Sequence, residues 1–131
     1  MILEKNLNKL LSALPLFFKK LYPHRLHTGQ YVSGEPFDYI VIMEGRTYCF
    51  DAKECSSDAL YSSQIPVHQF NDMIKAEKYG ATVFFLIYFV KHRTITFIHP
   101  MTILDDGKAT HISKQVENDL SVVIKKYFNN K

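Results

Sequence analysis

Phe37-Asp38-Tyr39-Ile40-Val41-Ile42-Met43-Glu44-Gly45-Arg46-Thr47-Tyr48-Cys49-Phe50-Asp51-Ala52-Lys53 is the stretch on which the fold of this chain turns. Two runs rich in β-branched and aromatic residues flank Glu44-Gly45, the pattern of a β-hairpin. With a two-residue turn, Met43 faces Arg46, and counting outward sets Asp38 opposite Asp51. Directly opposed strand residues have β-carbons about 4.5–5.5 Å apart, where like charges destabilise. Strand alternation puts Asp51 and Lys53 on the same face as Asp38, with Ile40, Ile42 and Cys49. Tyr39, Val41, Tyr48 and Phe50 take the other face. Both faces are apolar, so the hairpin is interior and the two carboxylates sit among hydrophobes at its open end. Glu-Gly is a weaker hairpin signal than Asn-Gly. A slip of one residue would be a bulge and would still leave the carboxylates on neighbouring strands.

Two buried, facing carboxylates need a cation or a shared proton. Lys53 supplies one positive charge, and a hard divalent ion such as Mg²⁺ accounts for two oxygen ligands left at a strand end. The competing account is an Asp–Lys–Asp salt-bridge cluster with no chemistry. For the triplet Asp51-Ala52-Lys53 alone that account is the better one, because three-residue patterns recur by chance. Once the hairpin places Asp38 beside them, the two stand about level.

Outward from the hairpin, Leu3, Leu7, Leu10, Leu11 and Leu14 recur at helical steps, and Pro15 ends or kinks that helix. Phe17, Phe18 and Leu21 extend the apolar face as a second short helix or the start of a strand. Residues 22–36 carry Pro23, Gly29, Gly34 and Pro36 and read as loop, with room for one edge strand. Glu54 to Pro66 is polar and Ser-rich, a long loop of the kind that usually serves function. Phe70, Met73, Ile74 and Ala76 mark a helix over 67–79 stopped by Gly80. Thr82–Val90 is a continuous apolar run that fits a central strand buried on both faces. Lys91-His92-Arg93 is a turn, 94–99 alternates as the next strand, and Asp106-Gly107 is another turn. Val116, Leu120, Val123, Ile124 and Tyr127 mark a C-terminal helix. The order is α-β-β-α-β-β-α, an α/β fold with a central mixed sheet flanked by helices, and residues 1–131 are expected to form one domain.

Composition fits this reading. Of 131 residues 47% are apolar and 22% charged, as in ordinary globular proteins, and eight Tyr and ten Phe with no Trp make the interior aromatic. A formal charge of +3 and a pI near 8.8 permit a polyanionic partner without demanding one. Cys49 and Cys55 form neither a zinc spacing nor a disulfide framework. The longest apolar run, 81–90, is half what a membrane span needs, and no signal peptide is evident, so a soluble cytoplasmic protein is expected.

The stretch Asp38-Tyr39-Ile40, Gly45-Arg46, Phe50-Asp51-Ala52-Lys53-Glu54, then His68-Gln69 and Gly80 before 83–85 resembles the RecU-type Holliday junction resolvases of the PD-(D/E)XK nuclease superfamily. In that family the core reads Asp-Tyr, a Gly-Arg turn, Phe-Glu-Ala-Lys-Glu, a polar loop, a His-Gln pair opening a helix, then Gly before a Phe-rich strand. Leu3-Glu4-x-x-Leu7-Asn8 is similar to the family's first-helix pattern. The resemblance implies a restriction-endonuclease-like core, with Asp38 and Asp51 as metal ligands and the Ala52 carbonyl as a third oxygen. It implies that Lys53 orients the attacking water, that Glu4 is a helix-borne acid near the metal, and that Gln69 supports the site. Hydrolysis of a phosphodiester with Mg²⁺, or Mn²⁺ in its place, would follow. DNA contacts are expected at Lys19, Lys20, Arg25 and His68, the substrate being a four-way junction cut by a homodimer. Three departures stand out. Asp51 replaces the commoner Glu, the region between the first helix and Asp38 is too short for the long stalk insertion of cellular RecU proteins, and the N-terminus reads as trimmed, which suits a compact or phage-type relative.

Other nucleases acting on duplex or flap DNA, and a non-catalytic DNA-binding module of the same fold, are the rival readings. Taken without the family, Glu4 is an acid favoured by its helix dipole and Gln69 a capping or solvent residue. His24 and His27, beside Arg25, fit a phosphate patch or a solvated loop equally well. His68 could cap its helix or line the site, and His92 reads as turn surface. No His pair has a helical metal spacing on an apolar face, so a zinc site is not expected. Ser–His hydrolase, P-loop and dinucleotide signatures are missing.

Overall fold

The computed structural model describes residues 2–21, 37–113, 116–117, 119, 122, 124 and 128. Helix α1 (Ile2–Ser12) leads into strand β1 (Phe17–Lys20), then the hairpin β2 (Tyr39–Met43) and β3 (Arg46–Cys55). Strand β4 (Ala59–Tyr61) and a single 3-10 turn precede α2 (Val67–Lys78), β5 (Thr82–Phe89), β6 (Thr94–Ile98), α3 (Pro100–Asp106), β7 (Lys108–Thr110) and β8 (Val116–Glu117). Among the described residues six strands form one mixed sheet in the order β1-β2-β3-β5-β6-β8, and β4 pairs with β7 separately. The expected α/β fold with a central mixed sheet is present, with β3 and β5 parallel at its middle.

The hairpin turn is where backbone conformation decides register. Glu44 and Gly45 both have positive φ, 50° and 79°, which matches the right-handed twist of the flanking strands. Met43 pairs with Arg46 and the ladder runs without a bulge to Tyr39 opposite Phe50. The next rung is Asp38 and Asp51. An aromatic stack locks that rung. Tyr39 lies on Phe50 at 5.0 Å and Phe50 on Phe84 at 4.8 Å, with rings nearly parallel. Each such pair contributes about 0.5–1.5 kcal/mol beyond burial, and a one-residue slip would turn the stack to the other face.

The two faces of the sheet carry two cores. Leu3, Leu7 and Leu11 of α1 pack with Tyr39, Val41, Tyr48, Phe50 and Ala52 on one side. Phe70 and Met73 of α2 pack with Cys49, Phe85 and Ile87 on the other. The alternation read from the sequence is therefore the real one, and Asp51 and Lys53 belong to the α2 side.

Several connections are more ordered than the sequence suggested. The stretch after Lys53 is not one long loop. β3 continues to Cys55, and β4 forms because β7 arrives from far along the chain to pair with it. Residues 100–106 form a helix rather than leading plainly into a turn. Pro100 opens it, His99 Nδ1 accepts from Met101 N at 3.0 Å, and Gly107 at φ 79° closes it. Val116 and Glu117 are strand, paired to β6, so the C-terminal helix starts later than expected; Val122, Ile124 and Phe128 are helical. Ile124 and Phe128 are buried against Tyr48 and Phe50. The expected loop over 22–36, with His24, Arg25 and His27, lies outside the described residues, as do Leu120, Val123 and Tyr127.

Candidate active site

β2 stops pairing with β3 after Tyr39, so the C-terminal half of β3 continues past an opened edge of the sheet. Asp38 fills that edge: its Oδ2 accepts a hydrogen bond from Ala52 N at 3.3 Å. The N–H and C=O of one strand residue leave the same edge, so the Ala52 carbonyl is directed to the Asp38 side as well. Asp51 is 1% exposed, one of two buried polar or charged residues among those described. Its side chain shares the α2-side core with Phe85, its register partner on β5. A carboxylate so buried requires a partner. Lys53 is that partner, with Nζ 2.7 Å from Asp51 Oδ2 and 5.9 Å from the Phe85 ring centre.

The remaining polar groups extend this pair in both directions. Gln69, in the first turn of α2, donates from Nε2 to Asp51 Oδ1 across a long 3.4 Å. Its Oε1 is buried without a hydrogen-bond partner. On the other side Lys20 sits 3.8 Å from Asp38 Oδ1 and 3.3 Å from Glu4 Oε2. Its ammonium also lies 5.2 Å from the Tyr39 ring centre. The Tyr39 hydroxyl donates to Asn8 Oδ1 at 2.7 Å, which ties α1 to the strand end. Glu4 therefore reaches the carboxylate pair through Lys20 and not directly.

Burial pushes the Asp38 carboxyl up to about 6, and the negative charge of Asp51 adds to the rise. Lys20 and the Ala52 N–H pull the other way without cancelling it. A carboxyl driven upward in this manner is one that a divalent ion can stabilise by replacing a proton. The donor set fits such an ion: two hard carboxylate oxygens, a backbone carbonyl on the same edge, and an unpartnered amide oxygen nearby.

Of the residues singled out from sequence, Asp38, Asp51, Ala52, Lys53 and Gln69 are gathered at one point, and Glu4 is joined to them by Lys20. Lys20 was expected to face DNA, yet its ammonium is turned into the carboxylates, while Lys19, the next residue outward on β1, is exposed. The signal was present in the strand alternation of Lys19 and Lys20, but it needed β1 to be recognised as a strand. His68 is half-buried beside Gln69. Arg25 lies outside the described residues.

A family model described as RecU, Recombination protein U, matches residues 16–129. Among solved structures, Hjc of Archaeoglobus fulgidus, a Holliday junction resolvase from an archaeal hyperthermophile, has a similar fold. It is 15% identical with a TM-score of 0.53, over 75% of this chain and 74% of that one. No curated protein matches.

Proposed function

This chain belongs to the RecU family of recombination proteins, and on that premise we propose that it is a Mg²⁺-dependent endonuclease that resolves four-way DNA junctions. The observation that carries the reading is the carboxylate pair of Asp38 and Asp51, set against Lys53 and with Asp38 pushed up to about 6. In this reading Asp38, Asp51 and the Ala52 carbonyl hold Mg²⁺, with Mn²⁺ an effective substitute. When bound, the ion supplies Lewis-acid polarisation of the scissile phosphate and acidifies water.

The chain's own residues do the rest. Lys53, held by Asp51 at 2.7 Å, presents a cation where the attacking water and the non-bridging phosphate oxygens meet. It orients the water and offsets charge that grows in the transition state. Gln69 fixes Asp51 from the α2 side. Glu4, steadied by Lys20, adds a carboxylate within one side chain of Asp38. Lys19 and His68, together with Arg25, line the approach for the DNA backbone.

Two active sites related by a two-fold axis suit opposed cuts in a four-way junction, so the working form is a homodimer. Among the described residues no strand pairs with the outer edge of β1, which supports self-association. Phe17 is 60% exposed there and pairs in register with Ile42, itself 44% exposed. Residues 1–131 act as one nuclease domain. No helix among the described residues is long and apolar enough to cross a membrane, and a DNA substrate suits an enzyme of the cytoplasm.

The test compares cleavage of a synthetic four-way junction with linear duplex, flap and single strand, with Mg²⁺ and with EDTA. Junction cleavage that needs Mg²⁺ and disappears in Lys53→Ala is expected. Preferential cutting of duplex or flap would reassign the substrate, and metal-independent binding without cleavage would make the chain a DNA-binding module.

A further inference from the structure

Past the C-terminal end of β3, three segments far apart in sequence meet. β4 and β7 pair with Ala59 opposite Thr110, and the next position outward on that ladder sets Asp58 beside His111. The β5–β6 turn brings His92 to the same place. His92 Nε2 is 2.6 Å from Asp58 Oδ1, and the His92 and His111 rings stack at 3.6 Å, 12° from parallel. One ligand atom from each of Asp58, His92 and His111 lies within 4.8 Å of the others. From this arrangement we propose that Asp58, His92 and His111 form a transition-metal site, of the kind that takes Zn²⁺ or Co²⁺, separate from the Asp38–Asp51 pair.

Three observations support the site. Each ligand-bearing segment is pinned from within. The Ser57 hydroxyl donates to Ala59 O at 2.9 Å beside Asp58. His92 N and Val90 N are tied to Phe89 O and Cys55 O. Ser113 Oγ accepts from Thr110 N at 2.7 Å, closing the turn that carries His111. Second, His111 Nδ1 is buried without a hydrogen-bond partner, against the Phe89 ring at 6.5 Å. Third, two imidazoles, borderline nitrogen donors, beside one carboxylate favour zinc-class ions over Mg²⁺.

The three ligand atoms are gathered but not yet converged on one point, because the lone pairs of the stacked rings lie in nearly parallel planes. Ligand atoms of a tetrahedral zinc centre, with bonds of about 2.0–2.1 Å, lie about 3.3–3.5 Å apart. His92 Nε2 and Asp58 Oδ1 would part slightly, and His111 would close in by rotating out of the stack, with water as the fourth ligand. Lys91 Nζ now sits 3.3 Å from Asp58 Oδ1 on an exposed side chain. The incoming ion displaces that ammonium into solvent and releases any imidazolium proton to solvent. The result is a clamp that joins the β3–β4 segment, the β5–β6 turn and the segment after β7, where no disulfide is available because both cysteines are free.

The experiment titrates Co²⁺ into the full metal-free chain in excess Mg²⁺, following visible d–d absorption, with Zn²⁺-dependent thermal melts alongside. Wild type and Asp51→Asn, which breaks the carboxylate pair instead, are both expected to take one equivalent and to melt higher with Zn²⁺. His111→Asn and Asp58→Asn are expected to bind at least roughly tenfold more weakly and to lose the Zn²⁺ shift. Asp58 is largely exposed, so its variant keeps the fold should His111→Asn fail to. The proposal is overturned if no saturable Co²⁺ signal appears, or if the signal vanishes in Asp51→Asn while surviving in Asp58→Asn. Its failure would leave the nuclease reading untouched, since cleavage by the Asp38–Asp51 centre is measured separately.

Discussion

Replacing Asp38 with Asn separates what the carboxylate pair does for chemistry from what it does to the fold. The Asp38 carboxyl stands at about 6 against an ordinary 3.8. Between those values the folded chain holds the proton more tightly than the unfolded chain. Stability therefore falls as pH rises through that window, and the loss is complete above about pH 6. At about 1.36 kcal/mol per pH unit, the ionised Asp38 destabilises the metal-free fold by about 3 kcal/mol at most. Asn keeps an acceptor for the Ala52 N–H; the Lys20 attraction is already counted in that net rise, and because the Asp38 side chain is 24% exposed, solvent screening discounts the figure. A net stabilisation of about 1–2 kcal/mol at pH 7.5 is expected, or a melting temperature higher by about 3–8 °C. Calorimetric melts of both proteins in EDTA, at pH 7.5 and near pH 4, measure it, and the gain should nearly vanish at the lower pH. Mg²⁺ should then raise the melting temperature of wild type and leave Asp38→Asn unchanged, while junction cleavage is lost. A variant less stable than wild type at pH 7.5 without metal, or a gain of equal size at pH 4, would refute the reasoning.

Three further outcomes follow from the same geometry. Lys53→Met should unfold more easily by about 2–4 kcal/mol, because Asp51 stays buried without its cation; denaturant melts read this, and single-turnover assays should show cleavage reduced by about 10²–10⁴-fold. Mg²⁺ or Mn²⁺ affinity, followed by calorimetric titration from pH 5 to pH 8, should weaken about tenfold per pH unit below about 6, since binding displaces the Asp38 proton. A pH-independent affinity would remove Asp38 from the ligand set. Gln69→Glu brings a third carboxylate near Asp51, so it should melt lower than Gln69→Ala in EDTA, and Mg²⁺ should narrow that difference.

Much of the site is legible in the linear chain because its geometry is local. The hairpin turn, the period-two alternation and the two-residue count from Met43–Arg46 are set by residues close in the chain. That is enough to put Asp38 beside Asp51 and Lys53 on their face. The same local logic located α2, β5 and β6 to within a residue or so. Lys20 escaped it. Its turn into the carboxylates depends on β1 pairing with β2 across the connection 22–36, a long-range contact that leaves no periodic trace in four residues. Short elements were missed for the same reason: β4 and β7 are three residues each and exist only because they meet.

By itself, then, the sequence determined the hairpin, the two faces of the sheet and the carboxylate pair with its lysine, because strand pairing through a tight turn converts linear spacing into distance. Tertiary structure alone decided the Glu4–Lys20–Asp38 bridge and the meeting of Asp58, His92 and His111. The ligands of that second cluster come from three loops, and no spacing rule connects residues whose separation is set by which strands happen to pair.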